Sequence, residues 1–286
     1  MKPLRVIAVL SGGGAKAAAH VGAIEALRER DLAPAHYVGT SMGAVVAAAF
    51  ASGLSYPDVL KRITSIDRGD VAVLSLGALL GPFASSLLRA GPLRRTIGRL
   101  VPARRFDELS IPLTVTTVDA QSGELLLLGA GGQLQIPLVD ALYASCALPL
   151  YYPPGCVGGR SCIDGGMRSV LPLDVAGGFD PDVIFAVEAG PSLYADPPER
   201  EPAVPAMVRA HSAALRILMA AQVEQEITRW RNRGVPLALV RPNRKRQATF
   251  ALDSVVSYVE EGYRAASREL DRWVLGDRMV ERPPES

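Results

Sequence analysis

Short apolar runs recur along the chain at Val6–Leu10, Tyr37–Val38, Leu113–Val118, Val183–Val187 and Leu237–Val240, and each reads as a buried strand. Stretches with helical spacing lie between several of them: Ala17–Arg30, Met42–Ser52, Leu138–Ser145, Val204–Arg231 and Leu252–Leu275. This alternation predicts the α/β class, a three-layer α/β/α arrangement with helices on both faces of a mainly parallel central sheet. The segment Asp119–Glu124 has turn chemistry between two apolar runs, so an antiparallel hairpin is expected at the sheet edge. Ala195–Pro202 is proline-rich and charged like a surface linker, but the helix after it is too short for a second core. The chain is therefore read as one domain over residues 1–286, a core of about 5–190 with a helix–strand–helix unit of about 203–275 packed on it. The tail after Met279 is expected to fray.

Composition narrows the function classes. With 49% hydrophobic and 21% charged residues the chain belongs with ordinary globular proteins rather than disordered ones. A balance of 31 basic against 29 acidic residues leaves +2, too weak a field to suggest a nucleic-acid partner. The cysteines Cys146, Cys156 and Cys162 are few and odd in number, which suits a reducing compartment, although Cys156 and Cys162 could meet across a hairpin. His20, His36 and His211 are scattered without metal-ligand spacing, so no metal site is expected. The N-terminus imitates a signal peptide, but Val6–Leu10 is shorter than the roughly 7 to 15 residues of an h-region, and Lys16 places a charge soon after it. A buried first strand and a cytoplasmic protein are the expectation.

The first strand runs into Gly12-Gly13-Gly14-Ala15-Lys16-Ala17, which fits the dinucleotide fingerprint G-x-G-x-x-G/A. That fingerprint also requires an acidic residue at the end of the second strand, and this chain has Val38-Gly39-Thr40-Ser41 there. A P-loop would need Ser or Thr after Lys16, where Ala17 stands. Residues without side chains at a helix N-terminus let backbone N–H groups converge on negative charge, so the loop can equally be an oxyanion hole or a plain tight turn.

Gly39-Thr40-Ser41-Met42-Gly43 is a G-x-S-x-G sequence between an apolar strand and a helix of small residues, the context of a nucleophile elbow. The five-residue pattern alone arises by chance in roughly one chain in ten of this length, and an ordinary serine N-cap is the bland alternative. A serine nucleophile needs a base. His211 lies within a stretch that reads as surface helix, His20 reads as a packed histidine and His36 as structural. Asp164, in Ile163-Asp164-Gly165-Gly166, is the other candidate, although Asp-Gly is first of all a hairpin turn. Upstream, Ala144-Ser145-Cys146-Ala147-Leu148-Pro149 through Pro154 is dense, apolar and able to wall a site from water.

The glycine loop, the G-x-S-x-G elbow, the A-S-x-A-x-P segment and the D-G-G sequence occur in the order found in patatin-like phospholipases, and the chain resembles that family over nearly its whole length. The resemblance extends through Phe106–Pro112, the Asp119–Glu124 turn and Glu261–Tyr263. It implies a patatin-like fold and a Ser41–Asp164 dyad that hydrolyses a lipid acyl ester without a cofactor. Gly12, Gly13, Gly14 and Met42 would form the oxyanion hole, with Lys16, Gly39, Gly43, Gly165 and Gly166 supporting the site. Two positions depart from the family pattern: Ala17 stands where glycine is usual, and Val170 where asparagine is usual. They bear on loop geometry and substrate choice rather than on the dyad. A protein that kept the fold for lipid binding or regulation and lost turnover is a second class, and a nucleotide binder a third.

Val71–Leu88 is uncharged and near the minimum length of a membrane span, but Gly77, Gly81-Pro82 and Ser85-Ser86 interrupt it. Short apolar helices over the site, either core-packed or a lipid-facing lid, are expected instead. Arg89, Arg94, Arg95, Arg99, Arg104 and Arg105 come directly after it, so residues 71–105 are the candidate peripheral membrane contact. Arg241–Arg246 reads as a basic surface loop.

Overall fold

The computed structural model describes residues 4–75, 86–193, 205–242 and 254–275. In its first half, β1 (Val6–Leu10) leads through a 3-10 turn at Gly14–Ala18 into α1 (Ala19–Arg28), and β2 (Pro34–Thr40) leads into α2 (Met42–Ala51). Next come α3 (Tyr56–Thr64), α4 (Arg68–Val71), α5 (Ala90–Leu100), β3 (Leu113–Asp119), β4 (Leu125–Gly129) and α6 (Leu138–Cys146). The remainder is β5 (Gly155–Val157), β6 (Arg160–Asp164), α7 (Leu173–Gly177), β7 (Val183–Val187), α8 (Ala206–Arg231), β8 (Leu237–Val240) and α9 (Val255–Leu275).

One eight-stranded sheet follows the order β5-β6-β3-β2-β1-β7-β8, with β4 also paired to β3. Strands β3, β2, β1, β7 and β8 run parallel, while β4, β5 and β6 are antiparallel to their neighbours. Alternate residues of the central strands feed two separate cores. Val6, Ala8 and Leu10 pack with α1, α2 and α9 on one face. Ile7 and Val9 pack with α7 and with Val223, Ile227 and Trp230 of α8 on the other. Helices on both faces of a mostly parallel sheet make this the expected three-layer α/β/α architecture.

The register of β3 brings two strand ends together. Thr116 pairs with Thr40, the last residue of β2, and Thr117 pairs with Asp164, the last residue of β6. Both threonines also pair with β4. A strand residue has only two edges, so β2 and β6 occupy the same edge of β3 and approach it from opposite ends. The C-terminal ends of β2 and β6 therefore meet at consecutive positions of one strand.

Several elements differ from expectation for identifiable reasons. The Tyr37–Val38 run is the middle of a seven-residue strand. Its polar residues are buried because they find partners: His36 bonds Thr114, and Thr40 bonds Thr116. Helices α3, α4 and α5 are additional to those expected, although α3 begins at Ser55, whose hydroxyl accepts from the N–H of Asp58, and α4 begins with an Asp67/Asp70 capping box. The Asp119–Glu124 hairpin forms as expected, with Gly123 at φ 72°. The hairpin near Asp164, however, turns on Gly158 and Gly159, both at positive φ, and joins β5 to β6. In that ladder Cys156 faces Ser161 and Cys162 faces Gly155, so the two thiols lie on opposite sides of the ribbon and all three cysteines are free.

Of the expected lid, residues 76–85 lie outside the described residues; the flanks are joined by an antiparallel bridge between Leu74 and Leu88. The expected linker at 195–202, the tail after Met279 and most of the Arg241–Arg246 loop also lie outside them. Among the described residues no helix is long and apolar enough to cross a membrane.

Helices α1 and α9 cross at two glycines. A Cβ on Gly22 would sit 1.9 Å from the Val259 carbonyl oxygen, and one on Gly262 would sit 1.9 Å from that of Ala19. Gly262→Val is expected to force the helices apart and cost about 2–3 kcal/mol, the overpacking range. Chemical denaturation would check this; an unchanged midpoint would show that the crossing is loosely packed.

Candidate active site

Ser41 sits between β2 and α2 with φ 54° and ψ −132°, a conformation that non-glycine residues rarely adopt. The neighbours enforce it. A Cβ on Gly39 would lie 2.5 Å from the Ala44 Cα, and one on Gly43 would lie 2.3 Å from the Ser11 carbonyl oxygen. The turn thus requires glycine at both flanks, as the elbow pattern implies. The Ser41 side chain makes no cap bond to α2. Instead its hydroxyl donates to Asp164 Oδ2 at 2.7 Å.

Asp164 is 4% exposed and ends β6 rather than occupying a hairpin turn. Its Oδ1 accepts from the N–H of Gly166 at 2.8 Å, which caps the 3-10 turn Gly165–Met167. Gly165 is needed there because a Cβ would lie 2.4 Å from the Thr116 hydroxyl. Burial pushes the Asp164 carboxyl up to about 6, against the two hydrogen bonds that favour the charged form. A carboxylate in this range is a far better base than one with the ordinary aspartate value.

The glycine loop lies beside the serine: a Cβ on Gly12 would lie 3.4 Å from Ser41 Cβ. The N–H of Gly12 is taken by the Val170 carbonyl at 3.0 Å, so Gly12 frames the loop and is not free to meet an oxyanion. Gly13 and Gly14 open a 3-10 helix and Met42 opens α2, and the first N–H groups of a helix have no partner within it. Gly13 tolerates no side chain, since a Cβ would meet the Ala189 carbonyl oxygen at 2.6 Å, and Gly14 has φ 57°. Lys16 lies half-buried in the same 3-10 turn, its N–H donating to the Gly13 carbonyl.

The histidines lie elsewhere in the fold. His20 is fully buried, and its Nε2 bonds the Ser11 carbonyl at 2.9 Å. Burial lowers it to about 4, so it is neutral and braces the strand end before the glycine loop. His36 stacks on Phe179 at 3.9 Å and is likewise held at about 4 by burial. His211 lies in the first half of α8, while the Ser41 hydroxyl is committed to Asp164. No cluster of His, Cys, Asp or Glu able to hold a metal occurs among the described residues.

Two residues of the site have roles that the sequence does not announce. Ser145, fully buried on α6, accepts the N–H of Ser41 on its hydroxyl at 2.8 Å and so anchors the strained turn. Glu226, 4% exposed on α8, accepts from the Ser169 hydroxyl at 2.9 Å and from the Asp174 N–H at 3.3 Å. The Ser169 carbonyl in turn accepts from the Thr40 hydroxyl, and the next residue's carbonyl holds Gly12. Glu226 therefore pins the segment that braces both the elbow and the glycine loop. A signal for it exists in the helical spacing: Val223, Glu226, Ile227 and Trp230 share one buried helix face, and a carboxyl on such a face needs a partner. Burial raises Glu226 to about 7.

This fold and these motifs are those of patatin-like phospholipases, whose family profile matches residues 8–176. That match covers more than half of the chain and all four ordered motifs, and the chain belongs to the patatin-like phospholipase family. An uncharacterized NTE family protein, Rv1063c of Mycobacterium tuberculosis, is 33% identical over 218 residues, 73% of this chain and 57% of the relative. Patatin-like phospholipase domain-containing protein 7 of Mus musculus is 29% identical over 184 residues, 64% of this chain but 13% of that protein. The chain thus spans little more than half of the mycobacterial relative's length. Among solved structures, VipD from Legionella pneumophila matches with a TM-score of 0.50 at 16% identity, covering 94% of this chain and 67% of that one, a likeness of fold. Family membership supports a lipid hydrolase.

Ser145→Ala leaves the half-buried Ser41 N–H without its acceptor and is expected to lower kcat roughly tenfold, the cost of one unsatisfied donor at a strained turn. Steady-state kinetics on a short ester would measure it, and unchanged kcat would show that the elbow holds its shape without this bond. Asp164 and Glu226 are both raised above their unfolded values, so each stabilises the fold fully below about pH 4 and stops doing so as pH rises through about 6 and 7. Thermal melts from pH 4 to 8 should therefore fall less steeply for Glu226→Gln than for wild type; equal slopes would place the Glu226 carboxyl near its ordinary value.

Proposed function

We propose that this protein hydrolyses the acyl ester of a phospholipid, lysophospholipid or related lipid through a Ser41–Asp164 dyad. The observation that carries the reading is the 2.7 Å hydrogen bond from Ser41 to a buried carboxylate whose basicity burial has raised. Ser41 Oγ attacks the ester carbonyl carbon as its proton passes to Asp164 Oδ2, giving a tetrahedral oxyanion held by the N–H groups of Gly13, Gly14 and Met42. Collapse breaks the bond to the alkoxide leaving group, which takes the proton from Asp164. Water then attacks the acyl-Ser41 ester, Asp164 accepts its proton, and the second collapse returns that proton to Ser41 and releases the fatty acid. One carboxyl serves as base and acid in each half-reaction.

Such an enzyme would work as one unit over residues 1–286, in the cytoplasm, with lipid reached through peripheral contact by residues 71–105. Three arginines of that segment are taken by the chain's own carboxylates, Arg94 by Asp140, Arg99 by Asp70 and Arg105 by Asp107. The lipid contact would therefore fall to the apolar flanks and to Arg89, Arg95 and Arg104.

A fluorophosphonate probe is expected to label wild type and not Ser41→Ala; equal labelling of both would remove Ser41 as nucleophile. Asp164→Asn should stay folded and lose about a thousandfold or more in kcat, whereas His211→Ala should stay within about twofold of wild type. The reverse pattern would make His211 the base. A folded wild type that binds lipid vesicles but neither labels nor turns over would favour the binding or regulatory class. For the active enzyme, kcat/KM should climb with pH and level off above about 6 as Asp164 ionises.

A further inference from the structure

Helix α8 changes character along its length. Its buried residues, Ala220, Val223, Glu226, Ile227 and Trp230, all lie in the C-terminal part. The first fourteen, Ala206–Met219, include no buried residue, yet ten of them are apolar and the others are Arg209, His211, Ser212 and Arg216. A surface helix normally turns its apolar side chains inward and leaves polar ones outside. Here one face, with Val208, Ser212, Leu215 and Met219, is half-buried. On the opposite face Met207, Ala210, Ala214, Ile217 and Leu218 recur at i, i+3, i+7, i+10 and i+11 and form a second apolar stripe. Met207 is 82% exposed, Leu218 61% and Ile217 49%. Single exposed apolar residues need no explanation, but a stripe along about 21 Å of helix marks a contact surface.

The half-buried face ties this part of α8 to the dyad site. Ser212 bonds the Tyr151 hydroxyl at 2.7 Å. Met219 packs against Gly166, two residues after Asp164, where a Cβ would meet its Cε at 2.9 Å. The carbonyls of Leu150 and Tyr151 accept from the N–H groups of Leu87 and Leu88, and Leu88 bridges to Leu74, itself 70% exposed. The stripe and the apolar flank at Leu74 are thus linked through Tyr151, in the wall of the site.

Charge and area select what covers the stripe. From Pro205 to Val223 the chain has two arginines and no carboxylate. A second copy laid on the stripe would set basic helix against basic helix. A face about 21 Å by 10 Å would also bury only roughly 200 Å² per partner, against about 800 Å² in a stable interface. An anionic lipid surface answers the charge and has no such area requirement, because apolar side chains enter the acyl boundary while the basic flank faces headgroups. We propose that the first half of α8 is a membrane-docking element that lays its outer stripe into an anionic lipid surface and holds the Ser41–Asp164 site there. It adds a helical element to the contact assigned to residues 71–105. As a route to substrate it rests on the hydrolase reading, whereas the docking itself does not.

Vesicle co-sedimentation of the full chain measures docking without turnover. Binding to phosphatidylcholine vesicles containing one third phosphatidylglycerol is expected to be at least about tenfold tighter than to phosphatidylcholine alone. Ile217→Ser combined with Leu218→Glu should weaken binding to the anionic vesicles about tenfold or more and lower turnover of a vesicle-borne ester in parallel. Turnover of a soluble acetate ester should stay within about twofold of wild type. Met207→Glu, at the most exposed of these positions, should weaken docking about threefold or more and keeps the test decisive if the double variant fails to fold. Wild-type binding that ignores phosphatidylglycerol, or variants that bind like wild type, would overturn the assignment. So would a wild type that sediments as a dimer beside a monomeric double variant, since a second copy would then cover the stripe. A wild type that docks but neither labels with fluorophosphonate nor turns over any ester would remove the hydrolase reading and leave the docking element in place.

Discussion

The hydrogen bond between Ser41 and Asp164 organises the rest of the molecule, because it exists only if two strands running in opposite directions end at neighbouring positions of a third. β2 stops opposite Thr116 and β6 stops opposite Thr117, on the same edge of β3. Neither residue could be reached by the other along the chain, and a shift of one residue in either register would turn one side chain to the far face of the sheet. The polar residues buried inside this sheet make sense in that light. Thr40 and Thr116 bond to each other through their hydroxyls, and Thr117 bonds the Ile163 carbonyl, so the ladder is pinned at the point where an error would be most damaging.

That arrangement carries a conformational cost at Ser41 and a desolvation cost at Asp164. The first is met by close packing at Gly39 and Gly43 and by Ser145, and the second by the Gly166 N–H and the serine hydroxyl. The wall Ala144–Pro154 keeps water away: the Ala147 carbonyl accepts from the Asp164 N–H, and Tyr152 is tied to the Val71 carbonyl. Cys146 sits in the same wall, and burial raises its thiol well above the usual range, so it stays protonated beside the serine instead of competing as a nucleophile. A dry pocket raises the basicity that the proposed mechanism needs and makes each fixed N–H dipole count for more.

Much of this is legible in the sequence because the requirement is local. Glycines 13, 39, 43 and 165 stand where backbone must approach backbone and Gly14 takes a positive φ, and their spacing survives in one dimension. The strands with uninterrupted apolar runs are equally plain. The features that a linear reading misses are non-local. Glu226 belongs to a helix distant in sequence from the loops that it braces, the A-S-x-A-x-P motif does not announce that Ser145 holds the Ser41 N–H, and α3 and α4 have caps that only become persuasive beside the sheet. The Gly12 N–H reads as available until the fold brings the Val170 carbonyl against it.

Residue order alone pointed to the α/β class and to the elbow, since glycine punctuation and apolar periodicity are properties of a string, and the ordered motifs, by their family resemblance, implied the pairing of Ser41 with Asp164. The packed fold decided which hydroxyl accepts the Ser41 N–H, which carbonyl takes the Gly12 N–H and how basic the buried carboxyl of Asp164 becomes. Each of those depends on distances between segments and on exclusion of water, which arise only when both faces of the sheet are covered.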